Sequence, residues 1–404
     1  MENASALRND NIPYVKLQQH LDSQPVGFPP SRNGADIRLL KHIFTPKEAE
    51  VATCLNHLGQ PLDIIFKRAA HIVTSKRELE KHLTSILKKG GLEFRLEKGQ
   101  RLYANTPLVV GMYELQLERL SPEFIQDFKA YTSEKRYGIS FLATKLPQMR
   151  TIPIGKSITP KLPVADFDQI NKLLETASDP FVILPCICRR KKSLQEEPCQ
   201  QTDRTETCMA MGGVAQTLLE MEIGREISRN DAMDIIRENQ KEGLVLQPGN
   251  TQDIEFLCSC CGCCCSMLSL QKELPRPLDF WASNFQASID PDCCISCGKC
   301  IIHCQTQALT PAKLSKKKSK EDRPKPNLNL HRCIGCGNCV PACPTGALSL
   351  IPCVSQVRPP KNREGLNTIL LREKKNKLAP IKVIGKLAKG IALTGDLNLL
   401  KKKG

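Results

Sequence analysis

Cysteine carries the chemistry of this sequence. There are 21 cysteines in 404 residues, and 15 of them lie between Cys258 and Cys343. Cys294, Cys297, Cys300 and Cys304 stand at the spacing C-x2-C-x2-C-x3-C. Cys333, Cys336, Cys339 and Cys343 repeat that spacing, and Pro344 follows. Between 294–309 and 333–348, nine of sixteen positions are identical. A tight loop with Cys at every third position offers three thiolates to one polynuclear centre and aims the fourth at another. Gly298, Gly335 and Gly337 suit turns whose backbone N–H groups point at cluster sulfurs and tune them. A pair of zinc sites is the competing reading. Zinc uses one or two short knuckles, often with His, and does not require eight Cys in a repeat.

With those motifs the chain resembles the bacterial two-cluster ferredoxins over about 60 of its 404 residues. The resemblance implies two [4Fe–4S] clusters with crossed ligands. One takes Cys294, Cys297, Cys300 and Cys343; the other takes Cys333, Cys336, Cys339 and Cys304. It also implies a βαββαβ fold for this segment. The chain departs from the family at Gln305, where a Pro is expected, and at Cys293, an extra thiol that could shift the ligand register. A Lys-rich insertion also sits among the 28 residues separating Cys304 from Cys333.

Ten further thiols form no ferredoxin spacing. The candidate ligands of an additional site are Cys186, Cys188, Cys199, Cys208, Cys258, Cys260, Cys261, Cys263 and Cys264, and Cys265 completes the run. Neighbouring Cys in an extended segment face opposite sides, so they cannot all reach one metal. The segment resembles cysteine-rich modules attached to two-cluster ferredoxin domains in proteins of anaerobic microbes. A further Fe–S site, a zinc site and unmetallated redox thiols all remain open for it. Arg189 and Arg190, beside Cys188, are read either as offsets to thiolate charge or as surface charges. Met209, Met211 and Cys54 read as packing residues, and Cys353 lies outside both motifs.

The elements that position these residues read as an α+β multidomain chain. Residues 1–34 are expected to be an irregular arm. In 35–135, three helices and a hairpin resemble a winged-helix domain. Thr45-Pro46 opens one helix, Ser75 with Glu78 caps another, and Gly90-Gly91 stops it. The hairpin follows over Leu92–Tyr103. Residues 136–275 are expected to form a cysteine-rich, mostly α module, with helices over Val214–Glu222 and from Arg229 to about Lys241. The ferredoxin segment spans 276–352, and 353–404 is a basic tail. In that tail Ile381, Ile384, Leu387, Ala388 and Ile391 recur at helical spacing among lysines, a pattern suited to an anionic membrane surface or a partner.

Charge is local. Of the net +16, the stretch 372–404 holds +8 and 313–325 holds +5, leaving +3 for the rest. That distribution weakens a nucleic-acid reading based on pI alone. The helix over Ser75–Lys89 interleaves Arg77, Glu80, Lys81 and Lys88, a poor pattern for phosphate contact. Disulfide scaffolds are typically short and secreted. This chain is long, Met1–Val15 lack an apolar signal core, and no apolar run reaches membrane-spanning length. The expected setting is reducing and cytoplasmic. The sequence has no P-loop and no dinucleotide fingerprint, so flavin or nicotinamide would belong to a partner. The expected role is electron transfer with an acidic redox partner. An oxidoreductase acting at the middle module and a redox-responsive DNA-binding regulator are the alternatives.

Overall fold

The computed structural model describes residues 11–159, 162–311, 325–376 and 378–395. Most of the Lys-rich 313–325 stretch and the last nine residues lie outside the described residues.

The N-terminal part begins with α1 (Ile12–Ser23), in the stretch expected to be an irregular arm. Tyr14, Leu17 and Leu21 recur at helical spacing, and burial of that stripe overrides the flanking polar composition. Then come α2 (Ala35–Ile43), α3 (Pro46–Ala52), β1 (Gln60–Pro61), α4 (Leu62–Ala69) and α5 (Lys76–Lys88). The hairpin β2 (Leu92–Glu97) and β3 (Gln100–Asn105) follows. These strands pair antiparallel in the order β1-β3-β2. Thr45 and Glu48 close a full capping box on α3. Ser75 caps α5 by accepting the Glu78 N–H, whereas the Glu78 carboxylate takes the Thr74 N–H instead of that of Ser75. Gly90, at φ +73°, ends α5 where a side chain would collide with Leu115 and Gln116.

After α6 (Pro122–Thr132), α7 (Lys135–Leu142) and α8 (Ile170–Thr176) comes the middle module. Its elements are β4 (Phe181–Pro185), α9 (Ile187–Leu194), β5 (Glu206–Met211), α10 (Gly212–Glu220), β6 (Arg225–Ile227), α11 (Arg229–Lys241), β7 (Val245–Pro248), β8 (Phe256–Cys260) and α12 (Ser266–Glu273). The mostly α expectation is corrected here: five antiparallel strands form one sheet in the order β6-β4-β5-β8-β7. These strands are short and rich in Cys and Met, so the β-branched signal that marks strands is weak. Alternation sorts the two faces. Phe181, Ile183, Met209, Met211 and Leu257 pack with Leu173 and Ile236 of α8 and α11. Val182, Leu184 and Ala210 face the other way, into a core shared with the N-terminal helices.

The N-terminal part and the middle module are thus not separately cored. The hairpin docks on α10: Thr217 Oγ1 accepts from the Phe94 N–H at 3.1 Å and donates to the Phe94 carbonyl at 2.9 Å. Arg101 pairs with Glu220 at 3.1 and 3.2 Å.

The C-terminal segment holds β9 (Phe285–Ile289), α13 (Lys299–Ile302), β10 (Leu309–Thr310), β11 (Asn327–Leu328) and β12 (Leu348–Pro352). β9 pairs with β12 and β10 with β11, as two separate two-stranded sheets. Turns occupy 338–342, where βαββαβ calls for a second helix. A buried pair anchors this segment: the Asp168 carboxylate accepts from Asn284 Nδ2 at 2.7 Å and lies 3.6 Å from Arg150. The tail forms α14 (Arg363–Lys374) and α15 (Ala379–Thr394). α15 packs through Val383 and Leu387 onto Leu142, Leu274 and Phe280, leaving Ile381 and Ile384 exposed. Among the described residues no helix is long and apolar enough to cross a membrane.

Candidate metal centres

In the C-terminal segment the two motif loops bring their cysteines together in a crossed pattern. One cavity is lined by Cys294, Cys297, Cys300 and Cys343. A second is lined by Cys304, Cys333, Cys336 and Cys339. The pairing of β9 with β12 sets this arrangement, because it lays Cys343, just before β12, beside the first loop. Gly335 and Gly337 hold positive φ, and a Cβ at Gly335 would fall 2.1 Å from the Phe285 carbonyl oxygen. Only glycine lets that loop close over its cavity.

The donor set fits iron–sulfur clusters in two respects. Backbone amides already point at sulfur: Ala287 N–H at Cys333 Sγ (3.3 Å), and Ala308 and Leu309 N–H at Cys304 Sγ (3.2 and 3.3 Å). Such donors stabilise thiolate charge and tune cluster potential. Spacing is the second. A single tetrahedral ion draws its sulfurs to about 3.8 Å from one another, whereas a cubane spreads them over four irons, roughly 6 Å apart. In neither set do three sulfurs all lie within 4.8 Å of one another. Burial pushes the Cys336 thiol up to about 12 and raises Cys333 as well, so metal must displace protons there.

Cys293 stays out of both cavities; it is exposed, and the nearby Asp290 carboxylate raises its thiol. Gln305, at the place of the family's Pro, is buried. Its Oε1 accepts the Gly262 N–H at 2.7 Å, and its Nε2 donates to Gln201 Oε1 at 2.9 Å. It locks the ferredoxin segment onto the cysteine-rich loop of the middle module. Asn338 adds a bond to the Gly243 carbonyl at 2.6 Å.

The middle module divides its ten thiols between two places. Cys199, Cys261, Cys263 and Cys264 form the only group of His, Cys, Asp or Glu among the described residues whose ligand atoms all lie within 4.8 Å of one another. Cys186, Cys188, Cys208, Cys258, Cys260 and Cys265 line an adjoining cavity of about 120 Å³, which Cys261 and Cys264 of the compact group also border. Cys265 was absent from the candidate ligands. Nothing in a run of three adjacent Cys distinguishes its last member; only the turn before α12 does. Arg189 is buried among the thiols, and Arg190 is exposed. Met209, Met211 and Cys54 are core residues. Glu114, on the cavity wall beneath apolar side chains, is raised by burial to about 8.

Residues 293–347 match the family model described as 4Fe-4S dicluster domain. That match, together with the cysteine groups, supports an iron–sulfur electron-transfer role. No curated protein matches the chain.

Proposed function

We propose that the chain is an electron-transfer protein or subunit. Two [4Fe–4S] clusters, on Cys294/Cys297/Cys300/Cys343 and on Cys333/Cys336/Cys339/Cys304, pass electrons singly to the middle module. The observation that carries this reading is continuity. Cys300 and Cys339 share one apolar cluster between the two sets. Cys336 in turn shares another with Cys258, Cys260 and Cys265 of the middle module. The two sets also differ in access. Cys297 is exposed and flanked by exposed Ile295 and Ile302, whereas Cys336 sits against the interior. Electrons would enter from a partner at the outer cluster and leave toward the interior. The chemistry resides in the clusters, so no side chain need act as acid or base.

An oxidoreductase acting at the middle module is the second reading, favoured by the cavity beside its thiols. For the N-terminal part, the element order and the sheet order β1-β3-β2 support a winged-helix-like domain acting as a docking module. Its hairpin is engaged by α10, which weighs against a DNA-regulator reading. An acidic redox partner, a cytoplasmic setting and contact of α15 with an anionic membrane belong to the same proposal.

Anaerobic purification with iron and sulfide analysis, followed by EPR of the reduced protein, tests it. At least about eight iron and eight sulfide are expected from the two clusters alone. A zinc-rich preparation without Fe–S absorption would end the reading.

A further inference from the structure

The two thiol groups of the middle module differ in geometry, and the difference assigns them different metal centres. In the first group Cys199 Sγ lies 3.6 Å from Cys261 and 3.7 Å from Cys263, and Cys263 lies 3.7 Å from Cys264. One ion with metal–sulfur bonds of about 2.3 Å sets tetrahedral sulfurs about 3.8 Å apart. The group has the span of a single ion.

The second group is a closed ring. Around the cavity Cys186 is electrostatically coupled to Cys188, Cys188 to Cys265, and Cys265 to Cys260. Cys260 is likewise coupled to Cys258, Cys258 to Cys208, and Cys208 back to Cys186. No three of these sulfurs share the compact spacing of the first group. A tetrahedral ion takes four thiolates, so six in an open ring call for several metal ions. The sheet explains the partition. Cys258 and Cys260 alternate onto one face of β8, beside Cys208 of β5, while Cys261 follows the end of the strand and joins Cys199, Cys263 and Cys264.

Arg189 supplies an independent sign of charge at both places. It is buried, donates to Thr207 Oγ1 and the Ser259 carbonyl, and keeps an unpartnered buried Nε. Its electrostatic neighbours are Cys186 and Cys208 of the ring and Cys199 and Cys261 of the compact group. A guanidinium so buried requires negative charge nearby. Metal–thiolate centres on either side provide it.

We infer that the middle module holds two centres: one tetrahedral ion, zinc or iron, on Cys199, Cys261, Cys263 and Cys264, and a separate polynuclear iron–sulfide cluster on the six-thiol ring. The single-ion site is filled by protein ligands, as in structural sites. All six thiols of the ring border the cavity, whereas the compact group reaches it only through Cys261 and Cys264.

The test measures iron, zinc and acid-labile sulfide in the anaerobically purified full chain, in Cys263→Ser and in Cys208→Ser. The wild type should hold sulfide beyond the about eight of two cubanes, plus one ion unmatched by sulfide. Cys263→Ser should lose that ion and keep its sulfide. Cys208→Ser should lose iron and sulfide together and keep the ion. Equal loss of iron and sulfide from both variants, or a wild type with no sulfide beyond about eight, overturns the inference. The wild-type count decides the question even where a variant misfolds. Failure of the ferredoxin clusters would show separately, as Cys297→Ser and Cys336→Ser leaving iron unchanged.

Discussion

Gln305→Ala isolates the contact that joins the ferredoxin segment to the middle module. The side chain makes two hydrogen bonds across that junction, at 2.7 Å from the Gly262 N–H and 2.9 Å to Gln201. It is not itself a thiol, and both cavities keep all their cysteines in the variant. Each bond contributes about 1 kcal/mol net, and the buried Gly262 amide loses its partner altogether. A loss of about 2 kcal/mol raises the open population of the junction about 30-fold. Amide hydrogen exchange on the anaerobic holoprotein reads this directly, in peptides covering 261–265 and 304–306. Exchange there should accelerate by about that factor, with iron content and the hairpin 92–105 unchanged. Unaltered exchange would refute the junction argument. Loss of iron with unaltered exchange would mean that Gln305 supports a cluster rather than the docking.

Cys297→Ser and Cys336→Ser should each impair a different cluster, read as selective loss in the EPR of the reduced protein; equal loss of both signals with folding intact would count against crossed ligation. Asp168→Ala leaves Arg150 buried without its carboxylate and removes one bond of Asn284, which keeps those to Val357, so it should cost about 3–5 kcal/mol and lower the apparent Tm. Glu114 has a folded pKa of about 8 against an ordinary 4.5, so the stability it contributes is complete below 4.5 and is lost as pH rises through about 8. Glu114→Gln should flatten the decline of apparent Tm across that window, and an unchanged slope would show that the decline arises elsewhere.

Some of this protein is written locally. The C-x2-C-x2-C-x3-C loops bring three thiols together by loop geometry alone, and the crossed places of Cys304 and Cys343 were what the resemblance to two-cluster ferredoxins implied. The capped helices α3, α5 and α11 were equally legible, because their caps and apolar stripes lie within a few residues of one another. α1 carried the same stripe at Tyr14, Leu17 and Leu21 and was overlooked behind its polar neighbours. The middle module is different. Cys199 meets Cys261 across 62 residues, and Cys186 meets Cys208 only because β4 pairs with β5. Spacing along the chain carries no record of such pairing, since strand neighbours are chosen by burial of whole faces. The separation of Cys260 from its neighbour Cys261, the burial of Arg189 between two thiol groups, and the use of Gln305 as a bolt rather than a turn residue were therefore decided by the tertiary structure. The sequence determined which residues could bind metal; the sheet decided which of them lie together.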